Sequence, residues 1–161
     1  MNFRKRTIIL ALCLAVAFSL ADLYLSRDRF FASLAQEIPV EKRTALRIGS
    51  TLVSAIVADT PAVREHGLSG RALLRENEGM LFVFERPDLY AFWMKDMLFS
   101  IDIIWMDTNG RVVDIAANLS PKTYPELFAP REKAQYALEV PAGFAARHRV
   151  EIGTLIAIAT R

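Results

Sequence analysis

Apolar positions crowd into one stretch of the chain, Gly79 to Met106, which holds both Trp and four of the five Met. Three apolar runs lie within it: Met80–Phe84, Ala91–Met94 and Met97–Met106. Arg86-Pro87-Asp88 and Lys95-Asp96 separate them. Runs of this length, rich in aromatic and β-branched residues and bounded by Pro, Gly and Asp, predict strands buried on one or both faces. Before this segment, Ala45–Ile48 and Leu52–Ala58 predict two strands around a Gly49-Ser50 turn. Thr60 as N-cap and Pro61 at the first helical position predict a short helix to His66, stopped by Gly67. Ser69 predicts the cap of a second short helix through Leu74. After the segment, Asp107-Thr108-Asn109-Gly110 predicts a hairpin turn into a strand over Val112–Ala116, with Asn109-Gly110 suited to positive φ. Pro121, Pro125 and Pro130 make the stretch from Asn118 to Pro130 a surface loop. Ala134–Val140 and Leu155–Ala159 predict the last strands, with a turn and short helix from Pro141 to Arg147 between them. Many short strands with two or three short helices point to a mainly-β single domain, a β-sandwich or partly open barrel.

The N-terminus changes that picture. Arg4-Lys5-Arg6 precedes an unbroken apolar run from Ile8 to Ala21, the grammar of a signal peptide. Ser19 and Ala21 suit a cleavage site, while Leu23, Tyr24 and Leu25 suit extension into an uncleaved anchor. Either way the basic cluster stays in the cytoplasm, and the domain is expected to be exported to the periplasm or an extracytoplasmic face, tethered to the membrane if uncleaved. The expected organisation is a signal peptide or anchor over residues 1–25, a linker over 26–43 and the mainly-β domain over 44–161.

Net charge is +2, but the basic excess lies before the domain. From Thr44 onward, 13 basic and 14 acidic residues leave the domain one charge negative, which gives no electrostatic footprint for nucleic acid. The one cysteine, Cys13, falls in the apolar run, so the domain has no disulfide, thiol nucleophile or cysteine metal site. His66 and His148 are the only histidines, and with scattered acids they predict no metal site. No cofactor fingerprint, nucleophile elbow or phosphate loop occurs.

Several motifs together are familiar: Ala58-Asp59-Thr60, Arg64 with Gly67-Leu68-Ser69-Gly70-Arg71, Gly79-Met80-Leu81-Phe82-Val83-Phe84, Phe92-Trp93-Met94-Lys95, Ile101-Asp102-Ile103, Leu138-Glu139-Val140 with Ala142-Gly143, and Gly153. In this order and spacing the chain resembles the domain of unknown function 192 family from about Thr44 to Arg161. The resemblance implies a small mainly-β domain behind a signal sequence or anchor, with no established activity and no catalytic residue to carry over. Ser69 stands where the family usually has Met, and Asp96-Met97 where Asn-Thr is common.

Candidate chemistry gathers around the FWMK motif. Strand alternation puts Trp93 and Lys95 on one face, and the Pro-rich loop carrying Tyr124 is long enough to rim them. Arg71 follows a helix break, where its planar guanidinium suits a carboxylate or phosphate. The expected ligand cleft is therefore Arg71, Trp93, Lys95 and Tyr124, with Asp102 or Glu139 orienting Arg71 from behind. Both carboxylates sit between apolar neighbours, where an isolated charge is costly. This makes the domain a binding or interaction module for a small anionic or peptide ligand in the cell envelope. Two other readings stand beside it. One is a hydrolase using Asp102 or Glu139, with an Arg stabilising negative charge. The other is a structural accessory of a membrane partner, which needs an exposed apolar patch instead. For the cleft itself the alternative is Trp93 in the core, with Arg71 and Lys95 as separate surface residues.

Overall fold

The computed structural model describes residues 41–159. The expected leader, Cys13 and cleavage site lie outside them. Among the described residues no helix is long and apolar enough to cross a membrane.

The fold is mainly β, built on one seven-stranded sheet. Strands β1 (Arg43–Ile48) and β2 (Thr51–Ala58) pair as a hairpin. Helix α1 (Pro61–His66) then carries the chain over to β3 (Glu78–Asp88), which runs parallel to β2, as such a crossover requires. Strands β4 (Ile101–Met106), β5 (Val112–Leu119), β6 (Ala134–Pro141) and β7 (Ile156–Ile158) follow, with helix α2 (Phe144–Arg147) before β7. The sheet order is β5-β4-β6-β3-β2-β1-β7, and every pairing except β2 with β3 is antiparallel. The sheet curls until its ends nearly meet. Arg111, leading into β5, bridges Leu155, leading into β7, and Ile156 donates to the Gly110 carbonyl at 2.9 Å. Of the two architectures expected from the chain, a β-sandwich or a partly open barrel, this is the partly open barrel.

Alternation sorts the buried residues into two cores. One joins Leu46, Val53, Leu81, Ile104, Leu138 and Ile156. It includes strands from both ends of the sheet order and so lies inside the curl. Phe144 of α2 completes it. The other joins Met80, Phe82, Ile103 and Trp105 on the outer face, where Leu68, Met94 and Met97 from the segment between α1 and β4 cover them. All six residues of β4 are buried, because it lies between β5 and β6 with a core on each face. That explains the unbroken hydrophobic run in the sequence.

The local expectations for α1 hold. The Thr60 side chain accepts from the Val63 amide, Pro61 opens the helix, and Gly67 ends it at φ 55°. The expected helix over Ser69–Leu74 does not form. Gly70 takes φ 70° and donates to the Asp96 carbonyl at 2.9 Å, while the Ser69 hydroxyl donates to the Lys95 carbonyl instead of capping a helix. The expected strand over Ala91–Met94 reduces to one bridge, between Phe92 and Phe128. Asp96, at φ 55°, turns the chain, so the strand expected from Met97 begins only at Ile101. In the 107–110 turn only Gly110 has positive φ, not the Asn109-Gly110 pair. The Asp107 carboxylate holds the turn by accepting from the Asn109 and Arg111 amides.

The Pro-rich loop is anchored where it returns. Asp114 of β5 is buried and accepts from the Arg131 amide and from its guanidinium at 3.0 and 2.7 Å. The Arg131 guanidinium holds the Asp114 carboxyl well below its ordinary 3.8, at about 2. A lowered carboxylate contributes stability that is present above its ordinary value and lost as pH falls through the folded value. The wild-type melting temperature should therefore fall more steeply between pH 3.8 and about 2 than that of Asp114→Asn, in thermal melts followed by circular dichroism.

Candidate functional site

A cavity of about 280 Å³ opens on the outer face. It is bounded by the last turn of α1, the outer face of β3 and the loop over residues 89–97. This is near the lower end of the ~300–1,000 Å³ typical of small-molecule sites. Phe82, Phe92 and Met97 give it apolar walls, and Trp93 and Lys95 stand on its margin. Phe92 meets Phe82 edge to face at 4.9 Å between ring centres, and Phe84 stacks on Tyr90, so the aromatic wall is packed.

At the mouth, Trp93 is 46% exposed and Lys95 is exposed, with Lys95 Nζ 5.6 Å from the centre of the Trp93 ring. Tyr124 packs edge to face on Trp93 with ring centres 5.9 Å apart. The Phe92–Phe128 bridge binds the Pro-rich loop to this strip and so brings Tyr124 over it. The structure thus places Trp93, Lys95 and Tyr124 together.

Arg71 lies elsewhere. The turn at Gly70 sends its side chain to Glu41, with which it forms an ion pair, and it does not line the cavity. Its carboxylate partner is Glu41, where the sequence reading expects Asp102 or Glu139. The guanidinium at the cavity belongs to Arg64, from the last turn of α1. Arg64 donates to the Val83 carbonyl at 2.9 Å and lies over the Phe84 ring at 5.4 Å. The motif containing Arg64 was visible in the sequence. That Arg64, rather than Arg71, turns toward the sheet follows from a helix whose last turn precedes Gly67.

The two carboxylates are on adjacent strands but opposite faces. Asp102 pairs with Val140 across the β4–β6 ladder, and Ile103 with Glu139. Asp102 points inward with Ile104 and is fully buried. It accepts from the backbone amides of Asn118 (2.8 Å), Gly143 (3.0 Å) and Ala145 (2.9 Å), fixing the end of β5 to the start of α2. These bonds make it a structural carboxylate, and it does not line the cavity.

Glu139 points outward into the cavity and forms its floor. It is 5% exposed, and its Oε2 has no hydrogen-bond partner among the described residues. Burial pushes its carboxyl up from 4.5 to about 8, so at neutral pH it is an uncharged acid with an O–H to donate. A buried acid left unpaired in a cavity of this kind is a mark of a functional position.

His66 also lines the cavity. His148 is half-buried rather than free in solvent. Its Nδ1 meets the Thr51 hydroxyl at 3.0 Å and its Nε2 meets Glu76 at 3.1 Å. Among the described residues no three His, Cys, Asp or Glu side chains gather as metal ligands would.

Known proteins share this architecture. A candidate transcription regulator from Sinorhizobium meliloti is similar in structure, with a TM-score of 0.70, 26% identity, and coverage of 73% of this chain and 95% of that one. A protein of unknown function from Novosphingobium aromaticivorans gives a TM-score of 0.65 and 29% identity, covering 74% of this chain and 89% of that one. In sequence, the chain is 35% identical over 107 residues to a UPF0127 protein of Thermococcus kodakarensis, across 62% of this chain and 61% of that protein. It is 34% identical over 102 residues to a UPF0127 protein of Thermococcus gammatolerans, across 62% of this chain and 63% of that protein. The matched region therefore spans less than two thirds of the length of these relatives. The model of the family DUF192, described as "Uncharacterized ACR", matches residues 44–158, from the second residue of β1 to the end of β7. The chain belongs to the DUF192 family.

Proposed function

We propose that the domain is an exported binding module that takes a small anionic ligand in the cavity beneath Trp93. The observation that carries this reading is the mouth: Lys95 held against an exposed Trp93, with Tyr124 packed on the same ring. A soluble domain gains nothing in stability from leaving a tryptophan half in water. Beside an apolar cavity and a cation, the same ring is a wall for a bound group. The Lys95 ammonium supplies the charge for a carboxylate, and the Arg64 guanidinium adds positive potential from the α1 side.

The hydrolase reading narrows on this geometry. Asp102 is spent on three backbone amides, which leaves Glu139 as the one buried acid of the cavity; Glu65 and His66 line its α1 side but are solvent-exposed. Two titratable groups in one site are the ordinary requirement for acid–base hydrolysis, and the binding reading needs none. Export rests on the basic and apolar N-terminal pattern in the sequence. A reporter fused after Arg161 that folds only outside the cytoplasm should be active, and activity of a cytoplasm-only reporter would overturn export.

Titration calorimetry with benzoate tests the binding reading. Lys95→Ala should weaken binding about tenfold, the equivalent of one charge-assisted hydrogen bond. It should leave the melting temperature nearly unchanged, because Lys95 is exposed. Arg71→Ala should leave binding close to wild type, since its partner is Glu41. Equal loss in both variants, or none in Lys95→Ala, rejects this mouth as the anion site.

A further inference from the structure

The floor of the cavity extends the reading of its mouth. A carboxyl group buried with an unbonded oxygen is unfavourable unless something bonds it. Glu139 lies on the outer face of β6, between Met80 of β3 and Ile103 of β4 in the ladder. Both neighbours are apolar, and no strand offers it a partner. The charged and titratable groups that share its cavity come from two other elements: Arg64, Glu65 and His66 from α1, and Tyr90 and Lys95 from the loop. Arg64 is already committed to the Val83 carbonyl.

We infer that the ligand is a monocarboxylate that also carries a carbonyl acceptor, seated with its anionic end at Lys95 and its carbonyl oxygen accepting a hydrogen bond from the Glu139 carboxyl group. This rests on the proposed anion site at the mouth and adds to it the chemistry of the far end. Three observations select a neutral acceptor for that end. Burial keeps the Glu139 proton on at neutral pH, so the floor presents a donor. Lys95 and Arg64 outnumber the one ionised carboxylate of the lining, Glu65 on the α1 side, and so disfavour a ligand cation at the floor. A second ligand carboxylate would put a desolvated charge among Met80, Phe82 and Ile103. The aromatic walls suit a flat body between the two ends. Water can occupy the floor in the free protein, and a carbonyl that reproduces its hydrogen bond displaces it without loss.

The test uses the full chain and two probes, benzoate and para-acetylbenzoate, which differ by one carbonyl acceptor. Affinities are measured by calorimetry for wild type, Glu139→Gln and Glu139→Met. At about pH 6, where Glu139 is protonated, para-acetylbenzoate should bind wild type about tenfold more tightly than benzoate. Glu139→Met should abolish that margin while still binding benzoate. Glu139→Gln should keep it, because the amide N–H also donates. At about pH 9 the wild-type margin should disappear as Glu139 ionises, whereas Glu139→Gln should retain it. The margin is a ratio of two carboxylates, so any change at the mouth common to both probes cancels. If benzoate binds and the margin is absent, survives Glu139→Met or ignores pH, the inference falls while the anion site stands. If neither probe binds, the anion site falls and this inference with it. If neither variant folds, the wild-type margin at the two pH values decides alone.

Discussion

Asp102→Ala should destabilise the domain by about 3 kcal/mol, making it one of the costlier single substitutions in the chain. The aspartate is fully buried, and its two oxygens accept from the amides of Asn118, Gly143 and Ala145. Truncation leaves three amide groups without their acceptor, that of Ala145 buried and those of Asn118 and Gly143 part-buried; an unsatisfied buried donor costs about 1–3 kcal/mol, and a part-buried one less. Two of the three also lie at or beside left-handed backbone, at Asn118 (φ 56°) and Gly143 (φ 79°), so the bonds hold conformations the chain would otherwise leave. Asp102→Asn keeps one acceptor oxygen but turns an N–H toward a donor, and should lose roughly half as much. Chemical denaturation of both variants checks the order. An Asp102→Ala loss below about 1 kcal/mol would show that solvent or rearranged backbone satisfies these amides. Since Asp102 faces away from the cavity, any variant that still folds should bind benzoate as wild type does, which separates its structural role from a catalytic one.

Asp102 and Glu139 also show what could be read from sequence and what could not. Both appear there as one acid between two apolar residues, and strand alternation would put either on a solvent face. That rule fails on β4 and β6 because both faces of these strands are covered, one by the inner core and one by the segment between α1 and β4. Nothing in a local pattern distinguishes an acid that caps backbone amides from one that floors a cavity. The difference comes from which neighbouring strands flank it, and so from sheet order. Turns and stops were legible, because they rest on backbone chemistry within a few residues: Thr60-Pro61 and Gly67 around α1, and the Asp107–Gly110 turn. The adjacency of Trp93 and Lys95 was legible as alternation, even though the segment forms only a single bridge. The partner of Arg71 was not, because Glu41 falls in the stretch read as linker, and long-range ion pairs leave no spacing to detect. The same holds for the closure of the sheet, which joins Arg111 to Leu155 across the chain.

That closure carries the last prediction. Gly110→Val should cost about 3 kcal/mol or more, beyond the ~1–2 kcal/mol that left-handed backbone alone imposes on a non-glycine residue. Gly110 has φ 78°, and its carbonyl accepts from the Ile156 amide, which ties the hairpin turn to β7. A Cβ built at Gly110 would lie 2.4 Å from the Ile156 carbonyl oxygen. The clash is with backbone, so no side-chain rotation relieves it. Either the turn or β7 must move, and β7 has only three paired residues to hold it against β1. Gly49 is the internal control. It too sits in a hairpin turn with positive φ, 58°, but a Cβ there meets nothing within 4 Å. Gly49→Ala should therefore show backbone strain alone, and Gly110→Ala strain plus displacement of β7. Melting temperatures of the two alanine variants give the difference, and amide exchange at Ile156 locates it. Faster exchange at Ile156 in Gly110→Ala, with slow exchange retained along β4 and β6, is the expected result. Equal destabilisation of the two variants would mean that the sheet is not closed through Gly110.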